Sequence, residues 1–536
     1  MRLTAVGWIL ALLAAPSVAR AQSAYPSPAP SPSPTPVRPK LELSLDEAVK
    51  RALENNPDIA VDRFNPLASE QSVREASGAY DPFLASSLST SSTSRRASDV
   101  LQQVPQIDTD VFGYSLSASK LFLTGGSASV VFDNVRTSSN VPISTFNPSY
   151  DSSIRASFTQ PLLRNFRIDS SRQSVQVAKK NREISDTQFK ETVLNTSASV
   201  RQLYYDLLYA IDNLQAQRKS FDLAHQQVDE NRIKVRVGTL APLDVVSAEA
   251  EMASREEGVI LAQAALRDAE DALKRVIFLN IDGPTWELEI VPTDRPSAEH
   301  TPVDFDGAIA RALENRTDMI VARKSLETAA ISVRFAHNQT LPAADLVASY
   351  GAAGLAGTEI RRAEDGTTTT IPGGQTDSFS QIFGRDNPTW SIGVNLRYPL
   401  RNRSASAQSA RVKIAYDQAV VNLKRLEMQV AAEVRSVARA VDTNFQRIES
   451  TRAARVLAER RLDAENKRFA AGMSTNYAVT QAQRDLSLAE VAELRAVADY
   501  RKSLVSFERV QEAGGGGISI VSSSTRATSL ATGTGR

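Results

Sequence analysis

One stretch of this chain occurs twice, and this duplication constrains the fold more than any other feature. The segment LDEAVKRALENNPDI begins at Leu45, and a related segment, FDGAIARALENRTDM, begins at Phe305. Further correspondences follow each copy in the same order, as a genuine internal duplication requires. The chain is therefore predicted to consist of two structural repeats.

Each repeat contains a very long stretch without glycine or proline. These stretches run over residues 162–237 and 400–471, and they end at Gly238 and Gly472. About 70 helical residues, at a rise of 1.5 Å each, form a rod of roughly 100 Å. An ordinary globular core does not need a helix of this length.

Apolar residues recur at every seventh position along both predicted rods. In the first rod, one heptad position holds Val193, Val200, Leu207, Leu214, Phe221 and Val228, and a second holds Leu203, Ala210 and Ala224. In the second rod, the corresponding residues, offset by 234, are Val434, Val441, Ile448 and Leu462. A sustained repeat of seven predicts left-handed coiled-coil packing.

A second helix is predicted to run back along each rod after the glycine. Its apolar residues again recur every seventh position, and they are Val245, Met252, Val259, Leu266 and Leu273 in the first repeat and Val479, Leu486, Tyr500 and Phe507 in the second. Each repeat is thus predicted to contain a short helix, strands, a long helix, a tight turn and a shorter returning helix.

Strand patterns lie between the short helix and the rod of each repeat. Apolar residues alternate with small or polar ones over residues 112–123, 127–137, 153–163, 344–354 and 389–400. Segments 111–123 and 127–137 resemble an additional hairpin around Thr124-Gly125-Gly126. This hairpin is interpreted as an extension of an external loop.

These strands are too few to close a barrel within one chain. A closed membrane barrel needs at least about eight strands, and an open sheet edge is too costly in lipid. We therefore expect a mainly α protein with β structure. Three chains would give four strands each to a 12-stranded transmembrane β-barrel, which a coiled-coil α-helical barrel continues.

Both ends of the chain are excluded from the predicted fold. Residues 1–21 combine Arg2, an apolar run of about a dozen residues and a small-residue site at Ala19-Arg20-Ala21, which is typical of a cleavable signal peptide. The alternative, a membrane anchor, is disfavoured because the run is too short to span a bilayer. Residues 22–40 form a Pro-rich extended segment, and residues 513–536 have the bias of a disordered tail.

Composition excludes several classes of site. The chain has no cysteine, so disulfides, thiolate metal sites and a lipidated cysteine are excluded. The formal net charge is +1, which does not favour nucleic acid as a partner. Beyond the predicted signal, no stretch approaches the roughly 18 consecutive apolar residues of a transmembrane helix.

The duplicated features together resemble the TolC family of outer-membrane efflux proteins over residues 41–510. The resemblance rests on the helices at Ala48–Asp58 and Ala308–Asp318, on prolines at the ends of the strands and on the two helix-ending glycines. The prolines are Pro161 and Pro399. The implied domains are a first repeat over 41–280, a linker or equatorial segment over 281–300 and a second repeat over 301–512.

This resemblance implies a homotrimeric channel-tunnel in the outer membrane of a Gram-negative-type bacterium, with a large periplasmic part. It also implies a periplasmic adaptor (membrane fusion) protein and an inner-membrane pump of the RND, ABC or MFS type as partners. The implied function is a passive exit duct for efflux or type I secretion. The alternative left open is a periplasmic coiled-coil adaptor or scaffold.

The resemblance also implies that the turns after the long helices form the periplasmic entrance. The typical string is a glycine followed six residues later by an aspartate, and Gly238 with Asp244 matches it, whereas Gly472 is followed by Ala478. The residues assigned to the entrance are Gly238, Thr239, Leu240, Asp244, Gly472, Met473, Ser474, Ala478 and Gln481. Asp244 either forms a ring of carboxylates that favours cations or caps the returning helix.

Basic residues near the turns allow two interpretations. Arg232, Lys234, Arg236, Lys467 and Arg468 either orient an adaptor or form a solvated helix face.

No arrangement typical of an enzyme, a cofactor site or a metal site occurs in the sequence. His225, His300 and His337 are widely separated, and none has a second histidine at ligand spacing. Each is interpreted as structural, and the chain is predicted not to be an enzyme.

Overall fold

The structure is a computed structural model that describes residues 39–99, 102–280, 286–295, 299–363 and 367–514. The predicted signal peptide, residues 22–38 and residues 515–536 lie outside this part of the chain. Two residues of the predicted tail are described. Ala513 is buried, and the Gly514 amide donates to Thr317 Oγ1 at 3.2 Å.

Ten helices are named here in chain order. They are α1 (Leu45–Asn55), α2 (Pro57–Asp62), α3 (Phe64–Ser77), α4 (Ser170–Arg236), α5 (Pro242–Ile277), α6 (Phe305–Asn315), α7 (Thr317–Asn338), α8 (Gln375–Gly384), α9 (Arg403–Ala470) and α10 (Asn476–Glu512). A 3-10 turn, Gly78–Tyr80, follows α3.

The strands are likewise numbered in chain order. They are β1 (Lys40–Leu43), β2 (Phe83–Arg96), β3 (Gln106–Leu121), β4 (Ser127–Ser139), β5 (Phe146–Pro161), β6 (Glu289–Pro292), β7 (Ala343–Arg362), β8 (Thr368–Ile371) and β9 (Pro388–Arg397).

The two predicted rods are present as α4 and α9, with 67 and 68 residues respectively. The short and returning helices lie along each rod: α3 and α5 pack on α4, and α6, α7 and α10 pack on α9. The heptad positions are confirmed as the contact seam, since most of them are buried. The buried residues are Val200, Leu207, Ala210, Leu214, Ala224 and Val228 in α4 and Val434, Val441 and Ile448 in α9.

A small core midway along the rods joins the segment before α1 to the segment after α5. Strand β1 pairs in parallel with β6, with Leu41 opposite Ile290. The Tyr204 hydroxyl in α4 donates to the Leu43 carbonyl at 3.1 Å, and the Leu45 amide donates to Asp294 Oδ2 at 2.8 Å. These bonds fix the start of α1 against the long helix.

The remaining strands form one antiparallel sheet at one end of the rods. Its order is β2-β3-β4-β5-β7, and both β8 and β9 pair with β7. Glu359 of β7 has Phe146 of β5 on one side and Ile371 of β8 on the other. Because β8 and β9 therefore share one side of β7 at different heights, the sheet is six strands wide.

The expectation of four strands per chain is therefore wrong. Strand β2 was missed because its sequence, FLASSLSTSSTSRR, consists mainly of serine and threonine, with few apolar residues to mark the alternation. Its 14 residues nevertheless pair continuously with β3, from Phe83 opposite Ser119 to Arg96 opposite Gln106. Backbone pairing forms the strand where the side-chain pattern is weak.

The interpretation of residues 111–137 as an external loop extension is also wrong. The turn between β3 and β4 lies at the helical end of the sheet, where the Arg172 side chain at the start of α4 donates to the carbonyls of Thr124 and Asn165. Gly125 adopts φ +81° there, and a Cβ atom on it would lie within 2.7 Å of the Asn165 carbonyl oxygen. The hairpin thus belongs to the sheet.

No helix in the described part of the chain is long and apolar enough to cross a membrane.

Candidate functional site at the helix tips

The two turns that end the long helices have the same backbone geometry. Gly238 and Gly472 adopt φ values of +80° and +73°, in the left-handed region that favours glycine. The Thr239 amide donates to the Lys234 carbonyl at 2.9 Å, and the Met473 amide donates to the Arg468 carbonyl at 2.8 Å. This is the Schellman pattern, in which a glycine after the helix allows its last carbonyls to find donors.

The helices that return from these turns begin differently. In the second hairpin, Thr475 caps α10 by accepting a hydrogen bond from the Ala478 amide at 3.3 Å. In the first hairpin, Ala241 stands at the cap position without a side-chain hydrogen bond, and Pro242 occupies the first turn. The prediction that Asp244 could cap the helix is wrong, because Asp244 lies three residues inside the cap position.

Asp244 is half-buried in the first turn of α5. A carboxylate at this position interacts favourably with the positive end of the helix dipole. No ion pair of Asp244 occurs in the part of the chain that the structure describes. Ala478 occupies the matching position in α10, so of these two helices only α5 places a carboxylate there.

A buried cluster of amides joins the two turns. Gln227 Nε2 and Asn231 Nδ2 donate to Asn476 Oδ1 at 3.2 and 3.0 Å, and Asn476 Nδ2 donates to the Asp244 carbonyl at 3.3 Å. All three amide side chains are buried. Because these hydrogen bonds connect α4 with the first residue of α10, they hold the two helical hairpins together at their tips.

A buried carboxylate further from the tip makes a second connection. Glu251 of α5 is 7% exposed, and it accepts hydrogen bonds from Arg255 Nε at 2.8 Å and from Arg484 Nε at 3.0 and 3.1 Å. Burial acts to raise the pKa of Glu251, but the hydrogen bond from Arg484 and the charge of Arg255 outweigh it and hold the pKa below its usual range. The contact therefore requires the ionised carboxylate.

Four of the five basic residues near the tips, Arg232, Lys234, Lys467 and Arg468, have partners within the chain. Arg232 Nη2 lies 2.7 Å from Glu249 across the first hairpin, and Lys234 Nζ lies 4.1 Å from the centre of the Phe469 ring in the other hairpin. Lys467 and Arg468 pair with acidic residues of their own helix, Asp463 and Glu465.

The second turn is also tied to its rod. The Ser474 hydroxyl donates to Glu465 Oε2 at 2.7 Å, and this hydrogen bond lowers the pKa of Glu465. Gln481 Nε2 donates to Asp485 Oδ1 at 3.0 Å. Met473 and Tyr477, in contrast, are 75% and 76% exposed, so the outermost surface of this turn offers apolar contact area.

The structure thus joins the two turns that carry the predicted entrance residues, because Asn476 donates to the Asp244 carbonyl. Sequence reasoning missed the residues that make the connection. A signal was present for Asn231, which continues the heptad series of Leu203, Ala210 and Ala224 with a polar residue. A buried asparagine in a coiled-coil seam typically fixes which helices pair.

The histidines lie apart from one another. His225 is 3.3 Å from Asp229, and the His300 ring packs on Phe445 at 4.6 Å between centres. Among the described residues, no group of three acidic or histidine side chains could hold a metal ion.

Fold and tips together define a class of protein in which a wide antiparallel sheet continues into a rod of two antiparallel helical hairpins. The sequence profile of one family, described as "Outer membrane efflux protein", matches residues 48–277 and 308–510. This chain belongs to the outer membrane efflux protein family, and it is an outer-membrane channel protein of efflux systems.

Individual relatives agree with this assignment. The outer membrane protein TolC of Vibrio cholerae is 22% identical over 337 residues, which are 63% of this chain and 72% of that protein. Two solved structures have similar folds. The outer-membrane channel OprN has a TM-score of 0.63 at 15% identity, covering 88% of this chain and 90% of that one, and VceC of Vibrio cholerae has a TM-score of 0.61 at 16% identity, covering 88% and 96%.

Proposed function

We propose that three copies of this chain form a passive duct from the periplasm to the exterior, built from two structural repeats per chain. The sheets would join in the outer membrane, and the rods would join below them as a periplasmic tunnel. A periplasmic adaptor and an inner-membrane pump would deliver the exported compound to the duct at the tips. The duct would carry out no catalysis, since its task is to provide a path.

One observation supports assembly most directly. Ile414, Val421 and Met428 of α9 follow one another at heptad spacing, yet they are 59%, 65% and 68% exposed in the single chain. Apolar residues that repeat every seven positions form a seam that packs against another helix. In this part of α9 the single chain leaves that seam open, so a helix of a second copy is the partner that we propose.

A matched pair of variants tests this proposal. Val421→Glu places a charge in the exposed seam, whereas Asn422→Glu places the same charge at the neighbouring exposed position. We expect Val421→Glu to abolish the trimer isolated from outer membranes and Asn422→Glu to retain it, as judged by mass in mild detergent. A Val421→Glu protein that remains fully trimeric would contradict the proposed use of this seam.

The tips are proposed as the periplasmic entrance. Three copies would bring three Asp244 carboxylates into one ring, and a ring of carboxylates favours cations. We expect Asp244→Ala to lower the preference for cations over anions in planar-bilayer recordings. Equal ion preference in the variant and the wild type would remove Asp244 from this role and leave the duct itself intact.

The exposed surfaces of Met473 and Tyr477 are proposed to contact the adaptor. Deletion of the chain from its own bacterium should cause exported compounds to accumulate, and the wild-type gene should restore export. A Met473→Asp/Tyr477→Asp variant should reach the outer membrane as a trimer but fail to restore export. The alternative role as a periplasmic adaptor or scaffold is not favoured, because the family profile covers both repeats.

A further inference from the structure

We propose that each chain contributes six strands to the barrel wall, so that three copies close a barrel of eighteen strands (three times six). This inference rests on the proposed trimeric duct. The edges of the sheet are β2 on one side and β9 on the other. Each edge is proposed to pair with the opposite edge of another copy.

The two faces of the sheet differ in chemistry on β3, β4, β5, β7 and β9, whereas β2 presents Leu84 on one face and Phe83 on the other. The neighbouring residues of one row on the first face are Leu84, Ala118, Val130, Ala156, Tyr350 and Trp390. The adjacent row on the opposite face, one residue along each strand, is Phe83, Ser119, Ser129, Ser157, Ser349 and Ser391. Alternation of this kind suits a wall between lipid and water.

The assignment of the faces follows from charge. On the apolar face, the charged residues nearest the middle of the hairpin, Lys120 and Arg136, lie towards opposite ends of β3 and β4, and the rows between them carry no charge. Within those same rows, the serine-rich face carries Asp133 and Arg155. An arginine facing the middle of a bilayer costs about 2–4 kcal/mol. The apolar face is therefore the lipid side, and the serine-rich face lines the bore.

The hairpin of β3 and β4 shares this pattern at the same height as the other strands. Val130 lies opposite Ala118 and Ala156, and Ser129 lies opposite Ser119 and Ser157. A hairpin that projected into solvent would have no reason to continue an apolar row begun on β7 and β9. Its 16 and 13 residues also exceed the roughly 9–11 that a tilted strand needs to cross a bilayer.

Further from the helical end of the sheet than this apolar row, the lipid-side face carries Asn134 and Ser152, and α8 covers them. The Ser152 and Ser378 hydroxyls are 2.8 Å apart, and Gln375 Nε2 lies 3.3 Å from Asn134 Oδ1. The Phe379 ring packs 5.7 Å from that of Phe132. Helix α8 thus satisfies the polar groups on the outer side of the hairpin strand β4, as expected if β4 belongs to the wall.

The remaining edges can close only between copies. An even number of antiparallel strands leaves β2 and β9 running in opposite directions, so β9 of one copy can pair with β2 of the next without breaking the antiparallel order. Open edges are too costly in lipid. Because barrel diameter grows roughly with strand number, eighteen strands give a bore about 1.5 times as wide as twelve.

Two neighbouring residues of β4 provide a matched test, helped by the absence of native cysteine. Single cysteines at Val130 and at Ser129 are labelled with an environment-sensitive fluorophore in trimers reconstituted into phosphatidylcholine vesicles. Ala348→Cys and Ser349→Cys on β7 are the reference pair. We expect a lipid-attached nitroxide to quench the labels at 130 and 348, and a water-soluble quencher to reach those at 129 and 349.

A water-exposed label at Val130→Cys beside a lipid-exposed label at Ala348→Cys, in an intact trimer, would overturn the eighteen-stranded wall and leave the duct standing. A Ser129→Cys/Ser157→Cys pair that fails to form a disulfide within one chain, while Ser349→Cys/Ser391→Cys forms one, would do the same. A chain recovered as a soluble monomer would instead overturn the proposed function, and this inference with it.

Discussion

At the scale of single residues, the tips depend on a few positions whose roles differ in kind. Gly238 and Gly472 allow the left-handed backbone of the turns. Asn476 accepts hydrogen bonds in the buried amide cluster, and Glu251 forms an ion pair with Arg484. The glycines could be assigned from sequence because a glycine after a long helix has a known geometric role. Glu251 and Arg484 could not, because they lie 233 residues apart and only folding brings them together.

Replacement of Gly238 by alanine tests the backbone role alone. A Cβ atom there would have no neighbour within 4 Å, so the cost comes only from the left-handed conformation. That cost is about 1 kcal/mol, or roughly fivefold faster local opening, and hydrogen exchange of residues 234–240 should report it. Gly393→Ala is the control, because it has equal space at an ordinary φ. Equal exchange in both variants and the wild type would contradict this account.

Asn476 tests the buried amide cluster. Asn476→Ala removes the acceptor of Gln227 and Asn231 and should destabilise the contact between the hairpins by about 1–3 kcal/mol. Tyr477→Ala, at the neighbouring exposed position, removes no buried hydrogen bond, so its effect should be small. Hydrogen exchange at the start of α10 measures both. An Asn476→Ala variant that exchanges no faster than Tyr477→Ala would count against the cluster.

The charge of Glu251 makes the same contact sensitive to acid. Because its pKa in the folded protein is lowered, its stabilising contribution is fully present above the ordinary glutamate value of about 4.3 and is lost as the pH falls through the lowered pKa. Glu251→Gln should therefore loosen the hairpins at neutral pH and abolish this part of the acid dependence. Exchange of residues 245–255 at pH 7 and pH 3, in both proteins, checks this.

At the scale of elements, the sequence predicts helices better than strands. Heptads sustained over α4 and α9 mark the rods and their seams, since each buried residue repeats the same signal. Strand β2 carries only Leu84 and Leu88 on its apolar face among many serines, so periodicity is too weak to reveal it. The strand forms because its backbone pairs with β3, and this pairing leaves no signal in the pattern of side chains.

The rod seam has a direct test in Leu207, which is fully buried on α4. Leu207→Ala should lower the stability of the rod by about 2–5 kcal/mol, through lost burial and the cavity that remains. Lys190→Ala, at an exposed position of the same helix, should change stability very little. Thermal unfolding followed by circular dichroism compares the two. Similar melting of both variants would contradict the assignment of the seam.

At the scale of the whole molecule, the single chain leaves two kinds of surface without partners. One is the heptad seam of Ile414, Val421 and Met428, and the other is the pair of sheet edges at β2 and β9. The trimer could be expected from sequence because one chain has too few strands for a barrel. The strand number could not, because it depends on whether the β3–β4 hairpin lies within the sheet.

The most direct test of the account is the mass and conductance of the mature protein extracted from outer membranes in mild detergent. We expect a particle of three chains that forms water-filled pores in planar bilayers. A soluble monomer, recovered from the periplasm and unable to form pores, would contradict the account.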